Sequence, residues 1–362
     1  MNSVHRLAKT LQSKMLNWEL GKPRFSDPRY YEHSFDVNCF SEFAAPDTSQ
    51  RICYVDGGNL SVFSSPSVML SLTRVGFCIY EGRKKVQPKN FHSNTTFFTI
   101  TTSFRKDGDL YFRNELQPTT EPAPGMLPDE KDLIFYSFDQ TLKQGQRMAS
   151  LYSISLAARA FAEWSLSKYL IENVLLEEDI LVRDGSLQTT ITGEADYANR
   201  AYRAALANNI RFTGLSKTST LYTDTGMPLF SAISILSKRN HIGLPWYYYP
   251  IVDIEAPDHR ARMYAVNLHT KSKHVFRFEI LKDQDPAYDP DILKVLAANS
   301  KDIAFPGYPY GLIEADRVAR VRHEEVDSLK IQILSEISRL GVWDELESFL
   351  RATDAHEFLD SI

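Results

Sequence analysis

Three acids stand out as residues that could do chemistry in this chain: Asp56, Glu163 and Asp184. Asp56 closes the apolar run "RICYV" and is followed by two glycines, and Asp184 closes "DILVR" and is followed by Gly185. In open α/β sheets ligands gather outside the carboxyl ends of strands. A following glycine turns the chain sharply and leaves such a carboxylate unobstructed. Asp-Gly is also an ordinary turn signal, an alternative that fits one such run more readily than two. Glu163 lies four residues after Arg159 in "SLAARAFAEWSL". An i, i+4 ion pair on a solvated helix face would contribute only about 0.2–0.5 kcal/mol. Ala157, Ala158, Ala160, Phe161, Ala162 and Trp164 leave little polar surface here, so Glu163 is expected to be held inward with a partner.

Two strand-end aspartates and a glutamate from a packed helix suit hard divalent cations, which take oxygen ligands. A pair of such ions about 3.5–4 Å apart can activate a water and stabilise a leaving oxygen of a phosphodiester. Other chemistries lack their motifs. The nine histidines form no H-E-x-x-H pair, and His269 and His274 flank an expected hairpin turn, which argues against zinc. No G-x-S-x-G elbow or Walker A loop is present. Cys39, Cys53 and Cys78 form no C-x-x-C pair and read as small hydrophobes.

The chain has 362 residues, 43% of them hydrophobic, enough for one large core or two ordinary ones. With a formal charge of −5, nothing global points to nucleic acid, so a phosphate-binding surface must be local. Basic residues cluster at "GRKK" (82–85), at Arg200 and Arg203, at "SKRN" (237–240) and at "RVARVR" (317–322). These are either solvated faces or, if they line the acids, a track for a strand's backbone. No stretch approaches the ~18 apolar residues of a membrane span, and the N-terminus lacks the apolar block of a secretory signal. A cytoplasmic protein without membrane attachment is expected.

The elements that must position the acids follow from periodicity. Val4, Leu7, Leu11 and Leu16 predict an amphipathic arm. "RICYV", "SVMLSLTRVGFCIYEG" and "TTFFTITTSF" predict three or more antiparallel strands, and the proline-rich 114–132 segment a loop. Residues 147–176 predict one long helix, followed by the Asp184 run, a helix at 194–208, the strand "IRFTGLSK" and a helix near 228–239. "RMYAVNL" and "HVFRFEI" predict a hairpin, 289–299 a helix, and the region from "GYPYG" onward a long helix. The order β, β, β, α, β, α, β predicts an α/β fold, a ribonuclease H-like mixed sheet flanked by helices with N- and C-terminal helical extensions. The expected division is a helical arm (1–45), a central domain (46–322) and a C-terminal helical extension (323–362). The arm and the final "LGVWDELESFLRATDAHEFLDSI", with Leu340, Trp343, Leu346 and Phe349, read as amphipathic pieces for dimer or partner packing, or as caps on the core.

"YVDGG", the Arg159/Glu163 pair, "LVRDGSL", "GLSKTS", "HVFRFEI" and "GYPYGLIEADRVARV" follow one another in the order of the NurA nucleases. The resemblance spans about residues 50–322. It implies a ribonuclease H-like fold, a homodimer, and Mn²⁺-dependent (or Mg²⁺-dependent) 5′ to 3′ exonuclease and single-strand endonuclease activity in DNA end resection with a HerA-type hexameric ATPase. By match it implies that Asp56, Glu163, Asp184 and Asp316 are metal ligands and that Lys217 lies near the substrate phosphate. Arg159, Lys217, Tyr308 and Tyr310 become candidates for contact with DNA. Asp316 stands where the family has a histidine. Aspartate also binds hard cations, or it is an ordinary acid of a helix first turn. Lys217 could equally be a surface lysine, and Tyr308 and Tyr310 either stack on bases or serve as core and turn aromatics.

Two other readings remain open from the sequence. Asp-Gly-Gly after a strand resembles the first phosphate loop of actin and sugar-kinase type ATPases, although "RDGSL" lacks the second glycine-rich turn. A non-catalytic DNA-binding or adaptor subunit of a HerA complex is the other.

Overall fold

In a computed structural model the chain is described over residues 3–16, 19–65, 67–89 and 91–342. Contacts divide it into two compact units. The first holds Met1–Thr48, Asp184–Gln188 and Thr213–Tyr310; the second holds Ser49–Arg183, Thr189–Phe212 and the chain from Gly311 onward. Both units are built of strands and helices, which makes the fold mixed α/β as expected.

In the second unit the strands run in the order Ile180–Asp184, Arg51–Ser64, Val68–Glu81, Asn94–Lys106, Asp109–Pro118, Ile134–Tyr136. Ile180–Arg183 pairs parallel with Ile52–Val55, and the other neighbours are antiparallel. The sheet is therefore mixed, with the first long strand at its centre. Ile52 to Val55 are buried on both faces, as a central strand requires. One face carries the helix Leu151–Asn173, started by Ser150, whose Oγ accepts the Ser153 N–H at 3.1 Å. The helix is buried over most of its length, because a helix laid across a sheet has little solvated surface. Asn114 Nδ2 donates to its Ile154 carbonyl at 2.8 Å, and Ser155 Oγ to Ser71 Oγ at 3.0 Å. The sheet also carries the helices Tyr310–Ala319 and His323–Arg339; Val321 and Val326 pack with Val62, Phe63 and Leu72.

The first unit pairs Phe40–Glu42, Trp246–Tyr248, Ala261–Asn267, Phe276–Leu281 and Arg211–Ser216 in that order, all antiparallel. Trp246, Tyr248, Met263 and Ala265 form a core with Leu229, Phe230 and Ile233 of the helix Leu229–Arg239.

Three sequence expectations change. The proline-rich segment expected to be a loop from 114 begins as strand, because Asp109–Pro118 pairs with Asn94–Lys106 over its whole length. The single long helix expected after "GYPYG" is two, broken between Ala319 and His323. The N-terminal arm, expected to be helical over 1–45, is an α-helix over Ser3–Leu16 with Val4, Leu7 and Leu11 exposed, and then turns to strands at Pro23–Arg24, Tyr30–Glu32 and Phe40–Glu42. The amphipathic C-terminal piece lies outside the described residues from Trp343 onward. No described helix is long and apolar enough to cross a membrane.

Candidate active-site carboxylates

Asp56 does not end a strand. The strand continues for eight residues beyond it, to Ser64, in unbroken antiparallel register with Val68–Glu81 as far as Ser61. Neither Gly57 nor Gly58 has a positive φ. Close packing, not a turn, selects these glycines. A Cβ on Gly57 would lie 2.5 Å from Glu163 Oε1, and one on Gly58 would lie 2.6 Å from the Ala319 carbonyl oxygen. Gly76, opposite Asp56 in the register, would meet Val318 at 2.7 Å. Because side chains alternate along a strand, Asp56 shares its face with Gly58 and Gly76, against which the Tyr310–Ala319 helix packs. Asp56 is half-buried, and its Oδ1 accepts the Gly57 N–H at 2.7 Å. With no turn at Asp-Gly-Gly, the strand-to-loop geometry that motivated the ATPase reading is missing.

Asp316 rides on that same helix. It lies toward the C-terminal end, so the first-turn alternative is excluded, and the macrodipole there disfavours an acid. Arg320, four residues on, ion-pairs with it and offsets that cost.

Glu163 occupies the other face. It is buried, with Oε2 2.7 Å from Arg183 Nη2 and Oε1 3.5 Å from Arg159 Nε. The Arg183 guanidinium lies 4.5 Å over the Trp164 ring, and Trp164 Nε1 donates to Glu194 Oε1 at 2.8 Å. Burial works against the charge of Arg183, but the charges of Glu163 and Glu194 outweigh it and hold its pKa above the ordinary value. The expected inward orientation with a partner is present, and the partners are two arginines instead of one.

In the first unit Asp184 is a true strand end. Gly185 follows at φ 115° and its N–H bonds to the Leu215 carbonyl at 2.9 Å. The Gly185 carbonyl lies 2.6 Å from where a Cβ on Gly214 would stand, so Gly214 of "GLSK" is also a close-approach glycine. Lys217 Nζ is 2.6 Å from Asp184 Oδ2 and 5.8 Å from the centroid of the Tyr308 ring. Tyr308 takes the core alternative: it is 2% exposed and packs with Phe276 and Phe305, so it offers no free face to a base. Tyr310 is half-buried at the start of its helix, and its N–H bonds to the Asn299 carbonyl.

The structure thus groups Asp56 with the Asp316 helix, Glu163 with Arg159 and Arg183, and Asp184 with Lys217. The donor atoms are hard carboxylate oxygens, which suit a divalent cation. Glu163, Asp184 and Asp316 are each balanced by a basic side chain, and among the described residues no three His, Cys, Asp or Glu side chains converge on one point. Binding a cation therefore requires carboxylates to exchange their basic partners for it.

Sequence reasoning missed a second buried acid. Glu279 Oε1 accepts from Arg277 Nε at 2.6 Å and pairs with His259 Nε2 at 2.9 Å, while Oε2 accepts the Leu187 N–H at 2.6 Å. His259 Nδ1 in turn meets the Tyr30 hydroxyl at 2.9 Å. Burial pushes the Glu279 carboxyl up, but Arg277, His259 and the Leu187 amide outweigh it and hold it well below the usual carboxylate range. Glu279 lies in the quoted "HVFRFEI", yet its partners come from residues 30, 187 and 259, and no local pattern joins them.

The NurA domain model matches residues 50–321. The chain belongs to the NurA family. No curated protein matches it. Among solved structures it is similar to the crystal structure of the NurA nuclease from Sulfolobus solfataricus, at 13% identity over 93% of this chain and 94% of that one, with a TM-score of 0.49. It is also similar to Kluyveromyces polysporus Argonaute with a guide RNA, at 7% identity over 74% of this chain and 27% of that one, with a TM-score of 0.28. The family match begins at residue 50, so the segment carrying Arg24 to Tyr30 lies outside it.

Proposed function

We propose that this NurA-family protein is a metal-dependent DNA nuclease. The observation that carries the reading is the NurA domain spanning residues 50–321 with Asp56, Asp184, Lys217 and the Asp316 helix inside it. Family membership supports a nuclease role. The finer terms follow from the family resemblance: 5′ to 3′ exonuclease and single-strand endonuclease action, Mn²⁺ or Mg²⁺ as cofactor, a homodimer, and a HerA-type hexameric ATPase as partner in end resection.

By the family match Asp56, Asp184 and Asp316 would hold the cation; Glu163, on the face of the sheet opposite Asp56 and paired with Arg159 and Arg183, serves the packing of its helix instead. When bound, the cation supplies Lewis-acid activation of water and neutralises charge on the leaving oxygen. The chain's own residues supply the rest. Lys217, the ion-pair partner of Asp184, would turn its ammonium to a substrate phosphate oxygen if Asp184 held the cation. Arg159, about one third exposed and only loosely paired to Glu163, is the second cation available to a strand's backbone.

The test is cleavage of labelled single-stranded and resected duplex DNA with and without Mn²⁺. Asp56→Ala and Asp184→Ala are each expected to lose about 10²–10⁴-fold in rate, the equivalent of several kcal/mol. Full Mn²⁺-dependent activity in either variant would remove that residue from the site.

A further inference from the structure

The first unit contains a cavity of about 610 Å³ that the nuclease reading does not use. We propose that it is a binding site for a nucleoside 5′-phosphate group, either a free mononucleotide or the phosphorylated end of a strand. The proposal rests on the nuclease reading only for where such a ligand would come from. The volume lies inside the range of about 300–1,000 Å³ typical of small-molecule sites.

Three features define the ligand. The first is aromatic: Phe25 and Tyr30 are stacked at 5.1 Å and 13°, and Tyr222, 49% exposed, also lines the cavity. Such faces accept any base, since every base has a π-face. The second is cationic. Arg277 commits Nε and Nη2 to Glu279 Oε1, which fixes the guanidinium, while Nη1 has no acceptor among the described residues at the cavity wall. Arg24, a register partner of Tyr222, is largely exposed and only 3.8 Å from its nearest acid, Glu32. Both guanidinium side chains line the cavity, and guanidinium groups are matched to phosphate geometry. The one acid lining the cavity, Asp27, is held by Arg29 at 2.6 Å.

The third feature is a fixed acceptor. His259 Nε2 lies 2.9 Å from Glu279 Oε1 and Nδ1 lies 2.9 Å from the Tyr30 oxygen, which holds that hydroxyl in place at the cavity wall. The Tyr30 oxygen can accept from a sugar hydroxyl or a base amino group. The rim is held in place as well. Asp224 accepts the Lys22 N–H at 2.9 Å and donates its own N–H to the Lys22 carbonyl at 3.0 Å, and Thr225 Oγ1 donates to the Glu19 carbonyl at 2.9 Å. These bonds tie the segment before the matched domain to the strand Tyr222–Thr223.

Calorimetry on the full-length protein in EDTA tests this, with the four deoxynucleoside 5′-monophosphates, a 5′-phosphorylated trinucleotide and inorganic phosphate as probes. Saturable binding of a nucleotide is expected in the wild type and in Asp56→Ala. Arg24→Gln and Tyr222→Ala, both at exposed side chains, should each weaken it at least threefold. Tighter binding of the monophosphates than of the trinucleotide identifies free product as the ligand, and the reverse identifies a strand end; both support the site. No binding of any nucleotide overturns the proposal, as does binding that neither variant alters. Phosphate binding as tightly as the nucleotides, with Tyr222→Ala silent, overturns the nucleoside assignment. Because Asp56→Ala is expected to bind normally, failure of the cleavage site and failure of this cavity read out separately.

Discussion

Asp56 and Asp184 look alike in the sequence, each an apolar run ended by aspartate and glycine, yet they solve different problems. Gly185 adopts a left-handed backbone and turns the chain where the strand stops. Gly57 and Gly58 stay extended, and the absent side chains make room for the Glu163 carboxylate and the Ala319 backbone. The same dipeptide thus marks a strand end in one unit and a packing contact in the other. Glycine lacks a Cβ, and either use needs only that.

The largest effect that bears on this contrast comes from removing the group packed over Gly57. Glu163→Ala leaves Arg183 buried without its acid and is expected to cost about 3–5 kcal/mol in urea unfolding, with Glu163→Gln costing less. Stability unchanged in the alanine variant would mean that the buried pair does not hold this face together. Adding a methyl at the glycines should come next. Gly58→Ala meets backbone and is expected to cost about 1–3 kcal/mol. Gly57→Ala should cost a similar amount, but less when Glu163 is already alanine, since residues in contact are non-additive. Gly185→Ala strains the backbone at φ 115° and should cost about 1 kcal/mol, at the low end for such positions. Equal coupling of Gly57→Ala and Gly185→Ala to Glu163 would erase the distinction drawn between them. Smallest is the stability effect of Asp184→Asn, whose partner Lys217 is 43% exposed. A change of no more than about 1 kcal/mol is expected, so loss of cleavage in that variant would report on chemistry and not on unfolding.

Much of the architecture was legible in the sequence. Alternation predicted the three long strands, and 3.6-residue periodicity predicted the helices at Leu151–Asn173, Glu194–Ala207, Leu229–Arg239 and Asp289–Ala298. The pairing of "RMYAVNL" with "HVFRFEI" was visible as well, because a polar turn separates two β-branched and aromatic runs. The apolar surroundings of Glu163 announced an inward acid. These signals are local, set by residues a few positions apart on one element.

What the sequence could not show depends on residues far apart in the chain. That Asp56 lies in the middle of a strand follows from its pairing with Gly76, and that Glu163 is shared by two arginines follows from Arg183 on another element. The Tyr30–His259–Glu279–Arg277 network, with the cavity beside it, joins residues as far apart as Tyr30 and Glu279, 249 positions along the chain. Composition and periodicity are blind to such meetings. The sequence determined which elements form and which acids they carry, and tertiary packing decided the company each acid keeps, because burial and charge pairing are properties of neighbours in space.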